Sequence, residues 1–367
     1  MKNIAFILPS LEDVSPVKAA LSLGIELSKT YRVFFVSYAP INEDSRLLKK
    51  DLSDSNIRFL SMNQESWLGF FKAKSSLEQV SYELSFDFCI SFLFKSDVLL
   101  SISNVKAKKI SSIRDLLLSS VRISHGLIIA YISYLMQAYS LKRMDKVVVM
   151  SQEMCSYVLT LGVDKGNVSI IPNFLDEDRV NSLVKDGFGG NEILFNNDYP
   201  TLISISSLIQ RKRVDWIIEQ FISLYRRGHH FNLLIVGDGI NREYYERMLK
   251  TSSVPNDRFC FLGHLSNPLP YLKKSNILIS ASESEGMSRS VMEALYLGIP
   301  AVVRDIPGND ELVKKSNGGF LYTNDVGFEE CLNMALNLST EVELGDPFRQ
   351  KVGFEKYKQV ISDVISS

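Results

Sequence analysis

The residues best suited to chemistry lie in one short stretch of the second half of the chain. Glu285 and Glu293 are separated by seven residues, and Gly286, Met287 and Ser288 lie at the start of a predicted helix that follows a predicted strand. Backbone N–H groups at a helix start, together with the positive end of the helix dipole, bind anions such as a diphosphate. Eight helical residues rise about 12 Å, so the two carboxylates suit hydroxyl-rich groups on either side of one diphosphate. Taken alone, the glutamates are read more simply as a first-turn residue and a solvated helix position.

The elements that must position these residues follow one repeating pattern. Short apolar runs alternate with longer amphipathic ones in both halves of the chain, which is typical of βα units and mainly parallel sheets. We therefore predict an α/β protein with two tandem Rossmann-like, doubly wound domains that face a central cleft, because ligands bind beyond the carboxyl ends of parallel strands. The predicted strands are 3–9, 33–38, 56–61, 87–93, 108–113, 145–150, 168–172, 201–206, 231–236, 258–262, 276–280 and 300–304. The predicted helices are 15–30, 68–84, 121–141, 151–162, 212–227, 240–250, 289–297, 325–338 and 346–366.

Composition limits the class of protein. The chain has 367 residues, more than one core usually holds, with 46% hydrophobic and 23% charged residues, which is typical of globular domains. A net charge of −1 argues against a nucleic-acid binder. Four distant cysteines argue against a zinc site or a disulfide framework, and no apolar run is long enough for a membrane span. These features predict a cytoplasmic protein.

The predicted domain boundaries follow the break in this pattern. Residues 1–172 form the N-terminal domain, which we expect to bind the acceptor, and residues 173–199, rich in Asp, Asn and Gly, form a linker. Residues 200–345 form the C-terminal domain, which holds Glu285 and Glu293. Residues 346–367 carry a broad apolar helical face, and we expect this helix to pack back toward the N-terminal domain.

Several blocks of the chain resemble one enzyme family. Glu285-Gly286, Glu293-Ala294 and Gly298-Ile299-Pro300 resemble the E-x7-E motif of retaining GT-B glycosyltransferases of the family four type, in the branch that makes bacterial surface polysaccharides or lipid-linked glycans. Further blocks resemble the family in the same order along the chain. They are residues 145–151 with 168–176, 206–215, 234–239, 261–263 and 306–311.

The resemblance implies an activity and a set of site residues. The enzyme would be a metal-independent retaining hexosyl- or N-acetylhexosaminyltransferase without a cofactor, and its donor would be a nucleotide-diphospho-sugar, with UDP favoured over GDP. Lys212 would contact the diphosphate, Glu293 the ribose and Glu285 the sugar hydroxyls. Glu285, Lys212 and Arg114 are the implied catalytic residues. The implied donor-binding residues are Ser207, Arg211, Lys212, His264, Leu265, Glu285, Gly286, Met287, Ser288, Arg289 and Glu293.

The chain departs from the family pattern at two places near the phosphates. Ser206-Ser207 replaces the common Gly-Arg, so either Arg211 or Arg289 would supply the second phosphate cation. The Gly-rich turn after the first strand is replaced by residues 12–16, in which Ser15 is a predicted helix N-cap.

Three other polar positions could take part in chemistry. Arg114 stands where the family often has a His and either faces the cleft or forms a surface pair with Asp115. His125 is predicted to be structural. The Asp176-Glu177-Asp178 run has the spacing of a metal-binding D-x-D motif, but it falls in the linker and is interpreted as a solvated turn.

One segment of the first half concentrates positive charge. Residues 105–146 contain eight basic and two acidic residues, and they enclose the uncharged stretch 127–141. This stretch is either a buried helix or a surface that meets the anionic inner face of a membrane. Because related enzymes extend lipid-linked glycans, we expect a glycan acceptor on polyprenyl diphosphate.

Three alternative functions fit parts of the pattern. A nicotinamide-dependent dehydrogenase would have tandem α/β domains, but the first βα turn lacks G-x-G-x-x-G. A GT-B sugar-nucleotide epimerase or a non-catalytic partner subunit would share the fold. The presence of Lys212, Glu285 and Glu293 favours sugar transfer over both.

Overall fold

The structure, a computed structural model, describes residues 1–12, 15–41, 56–64, 69–114, 127–188, 195 and 199–366. The chain divides into two units. Unit 1 comprises Met1–Phe174 and Lys351–Ser367, and unit 2 comprises Leu175–Gln350. Among the described helices, none is both long and apolar enough to cross a lipid bilayer.

Unit 1 is built on a parallel sheet whose strands are buried. The described strands lie in the order β3-β2-β1-β4-β5-β6-β7. Residues Ile4–Leu8 of the central strand have no exposed surface, as expected for a parallel strand covered on both faces. The strands are β1 (Asn3–Leu8), β2 (Arg32–Ser37), β3 (Ile57–Ser61), β4 (Phe88–Phe92), β5 (Lys108–Ser112), β6 (Lys146–Val149) and β7 (Val168–Ile170). The described helices that connect them are α1 (Ser15–Ser28), α2 (Phe70–Glu83), α3 (Phe94–Ile102), α4 (Leu127–Leu141) and α5 (Gln152–Thr160).

Unit 2 repeats this architecture with six strands in the order β10-β9-β8-β11-β12-β13, all parallel. The strands are β8 (Thr201–Ile205), β9 (Asn232–Val236), β10 (Phe259–Gly263), β11 (Ile277–Ser280), β12 (Ala301–Arg304) and β13 (Gly319–Tyr322). The helices are α6 (Glu177–Lys185), α7 (Val214–Arg226), α8 (Arg242–Lys250), α9 (Leu269–Lys274), α10 (Arg289–Tyr296), α11 (Pro307–Lys314) and α12 (Asp325–Leu336).

The last helix, α13 (Gln350–Ser366), packs into the core of unit 1. Its apolar residues recur at helical spacing, with Phe354, Tyr357, Ile361 and Val364 all buried. The ring of Phe354 meets Phe174 edge-on at a centroid distance of 5.1 Å. The sequence pattern predicted that this helix begins at residue 346, but Asp346–Phe348 form a separate 3-10 helix before it.

The segment 173–199, which was predicted to be a linker, is partly helical. It contains α6, whose N-cap Asp176 accepts a hydrogen bond from the Arg179 amide at 3.0 Å. Glu177 and Asp178 form the first turn of this helix, where the helix dipole favours acidic residues. The run is therefore a helix start and not a solvated turn. The Gly189-Gly190 and 196–198 parts of the predicted linker lie outside the described residues.

Four other elements, all of nine residues or fewer, were missed in the sequence. Helices α3, α9 and α11 have nine, six and eight residues, and strand β13 has four. Periodicity needs a longer window to separate such segments from loops.

Candidate functional site

The candidate site of unit 2 lies where the order of its strands reverses. The chain runs from β8 to β9 and β10 on one side of the sheet and from β11 to β12 and β13 on the other, although β8 and β11 are neighbours. The loops after β8 and β11 therefore leave the sheet in opposite directions and open a crevice at its carboxyl edge. Lys212 follows β8 and Glu285 follows β11, so both belong to this crevice.

Lys212 and Glu285 are held together by an ion pair. The Lys212 Nζ donates a hydrogen bond to Glu285 Oε1. Their side chains are only 15% and 14% exposed, respectively. Two residues with predicted roles at adjacent parts of one substrate thus lie in direct contact, with both charges fixed by the fold.

Arg211 joins the same two loops through the backbone. Its guanidinium donates to the Ser284 carbonyl, and its own carbonyl accepts a hydrogen bond from the Glu283 amide at 2.9 Å. Arg211 is one of the two candidates for the second phosphate cation. Its guanidinium is therefore hydrogen-bonded to the loop that carries Glu285.

Arg213 is a site residue that the sequence analysis missed. Its backbone adopts a left-handed conformation, with φ of 49°, just before α7. Its guanidinium donates to Glu283 at 2.9 Å and pairs with Asp215 at 3.3 Å, and the hydrogen bond that it donates to Glu283 raises the pKa of Arg213 above its usual value. The Arg-x-Asp spacing in the sequence could have indicated the contact with Asp215. The contact with Glu283 could not be found in this way, because the two residues are 70 positions apart in the chain.

The start of α10 is suited to bind an anion. Ser288 is the N-cap, but its side chain accepts no hydrogen bond from the helix backbone, and its hydroxyl lies 3.2 Å from that of Ser290. The first amides of a helix have no partner within the helix. They therefore present donors, together with the positive end of the dipole, next to the loop of Glu285.

Glu293 lies inside α10 and pairs with Arg289. The Arg289 Nε donates to Glu293 Oε1 at 2.8 Å, and the Glu293 side chain is nearly buried. Each glutamate of the E-x7-E spacing is thus paired with a cation, Glu285 with Lys212 and Glu293 with Arg289. The second candidate phosphate cation is therefore engaged by a glutamate.

Two glycines allow the loops of this site to approach one another. A Cβ on Gly237, after β9, would lie 1.8 Å from the Ser206 carbonyl oxygen, and the φ of Gly237 is 134°. A Cβ on Gly308, in the first turn of α11, would lie 2.4 Å from the Glu285 carbonyl oxygen. The sequence blocks contained both glycines, but their function, close backbone contact across loops, depends on the tertiary structure.

The remaining predicted donor residues lie at the same edge of the sheet. Ser207 after β8 and His264 after β10 are exposed, Leu265 is half-buried, and Gly286 and Met287 are buried. Arg242 of α8 is close to the turn at Gly263 and pairs with Asp238 at 3.0 Å. The Gly239 amide and Arg242 hold the pKa of Asp238 below its usual value.

Arg114 lies in unit 1, whereas the predicted donor residues lie in unit 2. It is 8% exposed, at the end of β5, and it donates to the Tyr357 hydroxyl at 2.9 Å and to Asn173 Oδ1 at 3.3 Å. Its guanidinium lies 5.0 Å from the centre of the Phe92 ring. The alternative of an exposed surface pair is wrong for Arg114, because the side chain is buried. Asp115 and His125 lie outside the described residues.

Tyr357 is a second residue that the sequence analysis did not connect with chemistry. Its hydroxyl lies 2.8 Å from Ser112 Oγ, and it also accepts a hydrogen bond from the Arg114 guanidinium. The apolar pattern of α13 predicted a core position, and the ring is buried as expected. The hydroxyl, however, orients a buried cation that is 243 residues away in the chain.

No group of three or more His, Cys, Asp or Glu side chains is placed to hold a metal ion within the described ranges. Asp176 and Asp178, which have D-x-D spacing, cap and begin α6.

Comparisons with known proteins find similarity in the second half of the chain. Residues 191–337 match the family model described as "Glycosyl transferases group 1". The chain is also 26% identical over 206 residues to the O-antigen biosynthesis glycosyltransferase WclY of Escherichia coli. This match covers 56% of the chain and 56% of WclY, so the chain spans little more than half the length of this relative.

Solved structures share the fold over the full length. HepE of Anabaena in complex with UDP is similar with a TM-score of 0.77 and 16% identity, and the match covers 99% of this chain and 100% of HepE. HepE has also been solved with UDP-glucose. The UDP-GlcNAc 2-epimerase of Methanocaldococcus jannaschii is similar with a TM-score of 0.64 and 13% identity, over 98% of this chain and 99% of the epimerase. At these identities the likeness shows the fold alone.

The architecture is therefore that of the GT-B glycosyltransferases, with two Rossmann-like parallel sheets and their helices. The predicted α/β class and the two doubly wound domains are confirmed. Residues 191–337, which hold Lys212, Glu285 and Glu293, match the group 1 glycosyltransferase family model, in a chain similar to an O-antigen glycosyltransferase.

Proposed function

We propose that this protein is a retaining glycosyltransferase that moves a sugar from a nucleotide-diphospho-sugar to a hydroxyl of a glycan acceptor in the synthesis of a bacterial surface polysaccharide. The observation that carries the proposal is the Lys212–Glu285 ion pair at the switch point of a group 1 glycosyltransferase domain. The similarity to an O-antigen glycosyltransferase supports the class of product.

The proposed donor site stabilises the leaving diphosphate. As the bond between the anomeric carbon and the phosphate oxygen breaks, negative charge grows on the diphosphate. Lys212 Nζ and the first amides of α10 supply fixed positive charge for it, and one such group is worth roughly 3–4 kcal/mol in comparable sites. Because Lys212 is already oriented by Glu285, little reorganisation is needed when the charge develops.

The proposed role of Glu285 is to accept hydrogen bonds from the donor sugar. Its Oε1 is bound by Lys212, so its charge is partly compensated, which makes it a poor nucleophile. We therefore propose that transfer occurs on one face of the sugar without a covalent intermediate. The acceptor oxygen bonds to the anomeric carbon as the phosphate oxygen leaves, and the acceptor proton passes to that phosphate oxygen. The product keeps the configuration of the donor.

The roles proposed for the other donor residues rest on the resemblance to family four glycosyltransferases. Glu293 would bind the ribose, and the Gly263-His264-Leu265 turn would lie along the base. We propose a UDP-sugar, because HepE, which shares the fold, was solved with UDP and with UDP-glucose. We propose a glycan on polyprenyl diphosphate as the acceptor.

The experiment that tests this function separates transfer from epimerisation. The protein is screened by thermal shift against UDP- and GDP-sugars, and the donor that raises the melting temperature is then incubated with and without glycan acceptors. Transfer predicts nucleotide release that requires an acceptor, and a product whose anomeric configuration by NMR matches the donor. Conversion of the donor to an epimer without acceptor would instead show the epimerase function, and binding without turnover would show a non-catalytic subunit.

Turnover is expected to be unchanged after treatment with EDTA. Lys212 and the α10 amides provide the positive charge that a divalent metal supplies in other transferases. The check is the initial rate after EDTA treatment and gel filtration, with and without added Mn²⁺ or Mg²⁺. Loss of activity that either metal restores would contradict the prediction.

We also propose that the protein works in the cytoplasm. All four cysteines are free thiols, and burial raises the pKa of Cys89 to about 12, so its thiol is unreactive. Free thiols of this kind are typical of a reducing compartment.

A further inference from the structure

Helix α4 of unit 1 turns its apolar side away from the protein. Ile128, Tyr131, Ile132, Leu135 and Tyr139 follow one another at helical spacing and share one face of the helix. All are at least 47% exposed, and Ile128 is 78% exposed. A continuous apolar face of this kind on a described helix indicates a surface that meets something other than water.

The opposite side of α4, which packs on unit 1, is the more polar one. Gln137 and Ser140 are buried there together with Ala130 and Leu141, and Gln137 Oε1 accepts a hydrogen bond from the Tyr157 hydroxyl at 2.7 Å. The Ser140 hydroxyl contacts that of Ser101 at 3.2 Å. In an ordinary surface helix the polar side chains face water and the apolar ones face the core. Helix α4 has the reverse arrangement, so its exposed face is built for an apolar environment.

Several of the cations that the sequence groups around α4 are held by contacts within unit 1. Of the basic residues in 105–146, Arg114 is buried, Lys108 pairs with Asp145 at 3.4 Å, and the ammonium groups of Lys109 and Lys146 bind carbonyl oxygens at 2.7 Å. Lys106 is exposed. Arg122 lies outside the described residues. Of these cations, Lys108 is therefore paired with an acid, while Lys109 and Lys146 keep their charge but are held against the backbone of unit 1.

Two cations remain exposed at the end of α4. Lys142 and Arg143 directly follow the helix, and the Arg143 guanidinium lies 3.6 Å from the centre of the Tyr139 ring. Helix α4 itself carries no charged residue. Tyrosines with apolar neighbours and cations at one end are typical of a helix that lies in the headgroup region of a bilayer.

The size of the face argues against a second copy of the chain as its partner. A helix of 15 residues is about 22 Å long and about 10 Å wide, so its exposed face covers roughly 220 Å². A stable protein interface needs about 800 Å² from each partner. A bilayer has no such minimum, because each inserted side chain contributes by itself.

We propose that the exposed face of α4 docks unit 1 on a lipid bilayer, lying in the plane of the membrane with Ile128, Ile132 and Leu135 inserted and with Lys142 and Arg143 at the headgroups. Insertion of apolar side chains is the main contribution, and attraction to anionic lipid is secondary. The inference is independent of the transfer reaction, and its test uses neither donor nor acceptor.

The test is co-sedimentation of the full chain with vesicles of neutral phosphatidylcholine, and with vesicles that also contain anionic phosphatidylglycerol. We expect binding to both. With about 1 kcal/mol for each of two exposed cations, anionic vesicles should bind up to roughly 30-fold more tightly at low salt, and high salt should remove most of this difference. Ile128→Glu should weaken binding to both kinds of vesicle by roughly tenfold or more.

Val326→Glu is the matched control, because Val326 is a 69% exposed apolar residue on helix α12 of unit 2. It should bind vesicles like the wild type. Melting curves check that the variants fold, and Leu135→Ser replaces Ile128→Glu if that variant does not. Absence of wild-type binding, or equal binding by Ile128→Glu and Val326→Glu, would overturn the proposal. A dimer in solution that Ile128→Glu dissociates, with no vesicle binding, would show instead that α4 meets a second copy.

Discussion

Lys212→Ala is expected to lower turnover by on the order of 10²–10³, the usual cost of removing one group that stabilises a developing negative charge. The fold places this ammonium group at the switch point of unit 2, where Glu285 orients it. Glu285→Ala should also lose activity. The donor sugar hydroxyls lose the carboxylate that accepts their hydrogen bonds, and Lys212 loses the ion-pair partner that orients it. The measurement is kcat and KM with the donor found by the thermal-shift screen.

Lys314→Ala is the matched control for this experiment. Lys314 also forms an ion pair, with Asp310 at 2.7 Å, but its side chain is mostly exposed on α11. Its removal should change neither turnover nor melting temperature by much, since exposed ion pairs contribute about 0–1 kcal/mol. Near-normal turnover of both Lys212→Ala and Glu285→Ala, in folded protein, would refute the donor site.

A double substitution shows whether the two residues act as a unit. If Lys212 and Glu285 depend on each other, the variant that lacks both should lose much less activity than the product of the two single losses. If the losses multiply, each residue contacts the donor independently and the ion pair has no part in catalysis.

The second large effect is expected for Gly237→Ala. The new Cβ would overlap the Ser206 carbonyl oxygen, at 1.8 Å, and alanine would have to adopt a φ of 134°. Backbone strain of about 1–2 kcal/mol and overpacking of about 1–3 kcal/mol together predict a loss of about 2–5 kcal/mol in the free energy of unfolding. Because Ser206 and Ser207 directly follow β8 at the proposed donor site, donor binding should weaken as well.

Gly228→Ala separates strain from overlap. Gly228 also has a positive φ, of 86°, but a Cβ there would meet nothing within 4 Å. This variant should therefore lose only the strain, about 1–2 kcal/mol. Urea unfolding of both variants gives the comparison. Equal losses would mean that the loops after β8 and β9 separate easily, and that close contact between them is not needed.

Much of the fold follows from local patterns in the sequence. The apolar run at 3–9 predicted β1, which is Asn3–Leu8, and the helix predicted at 289–297 is α10, Arg289–Tyr296. Such segments are recognised because strand and helix periodicity depend on neighbouring residues alone. The resemblance that singled out Lys212, Glu285 and Glu293 also depends on residue types and spacing along the chain.

Contacts between distant segments could not be read in this way. Lys212 meets Glu285 across 73 residues because β8 and β11 are neighbours in a sheet whose strand order is not sequential. The same holds for Arg114 and Tyr357, which meet because α13 belongs to the core of unit 1. In α4 the sequence showed an uncharged apolar helix, which a buried position would explain equally well. In the tertiary structure, Gln137 and Ser140 pack against unit 1, so the apolar side chains on the opposite face of the helix are exposed. The sequence defines the faces of a helix, but only the tertiary structure decides which face is covered.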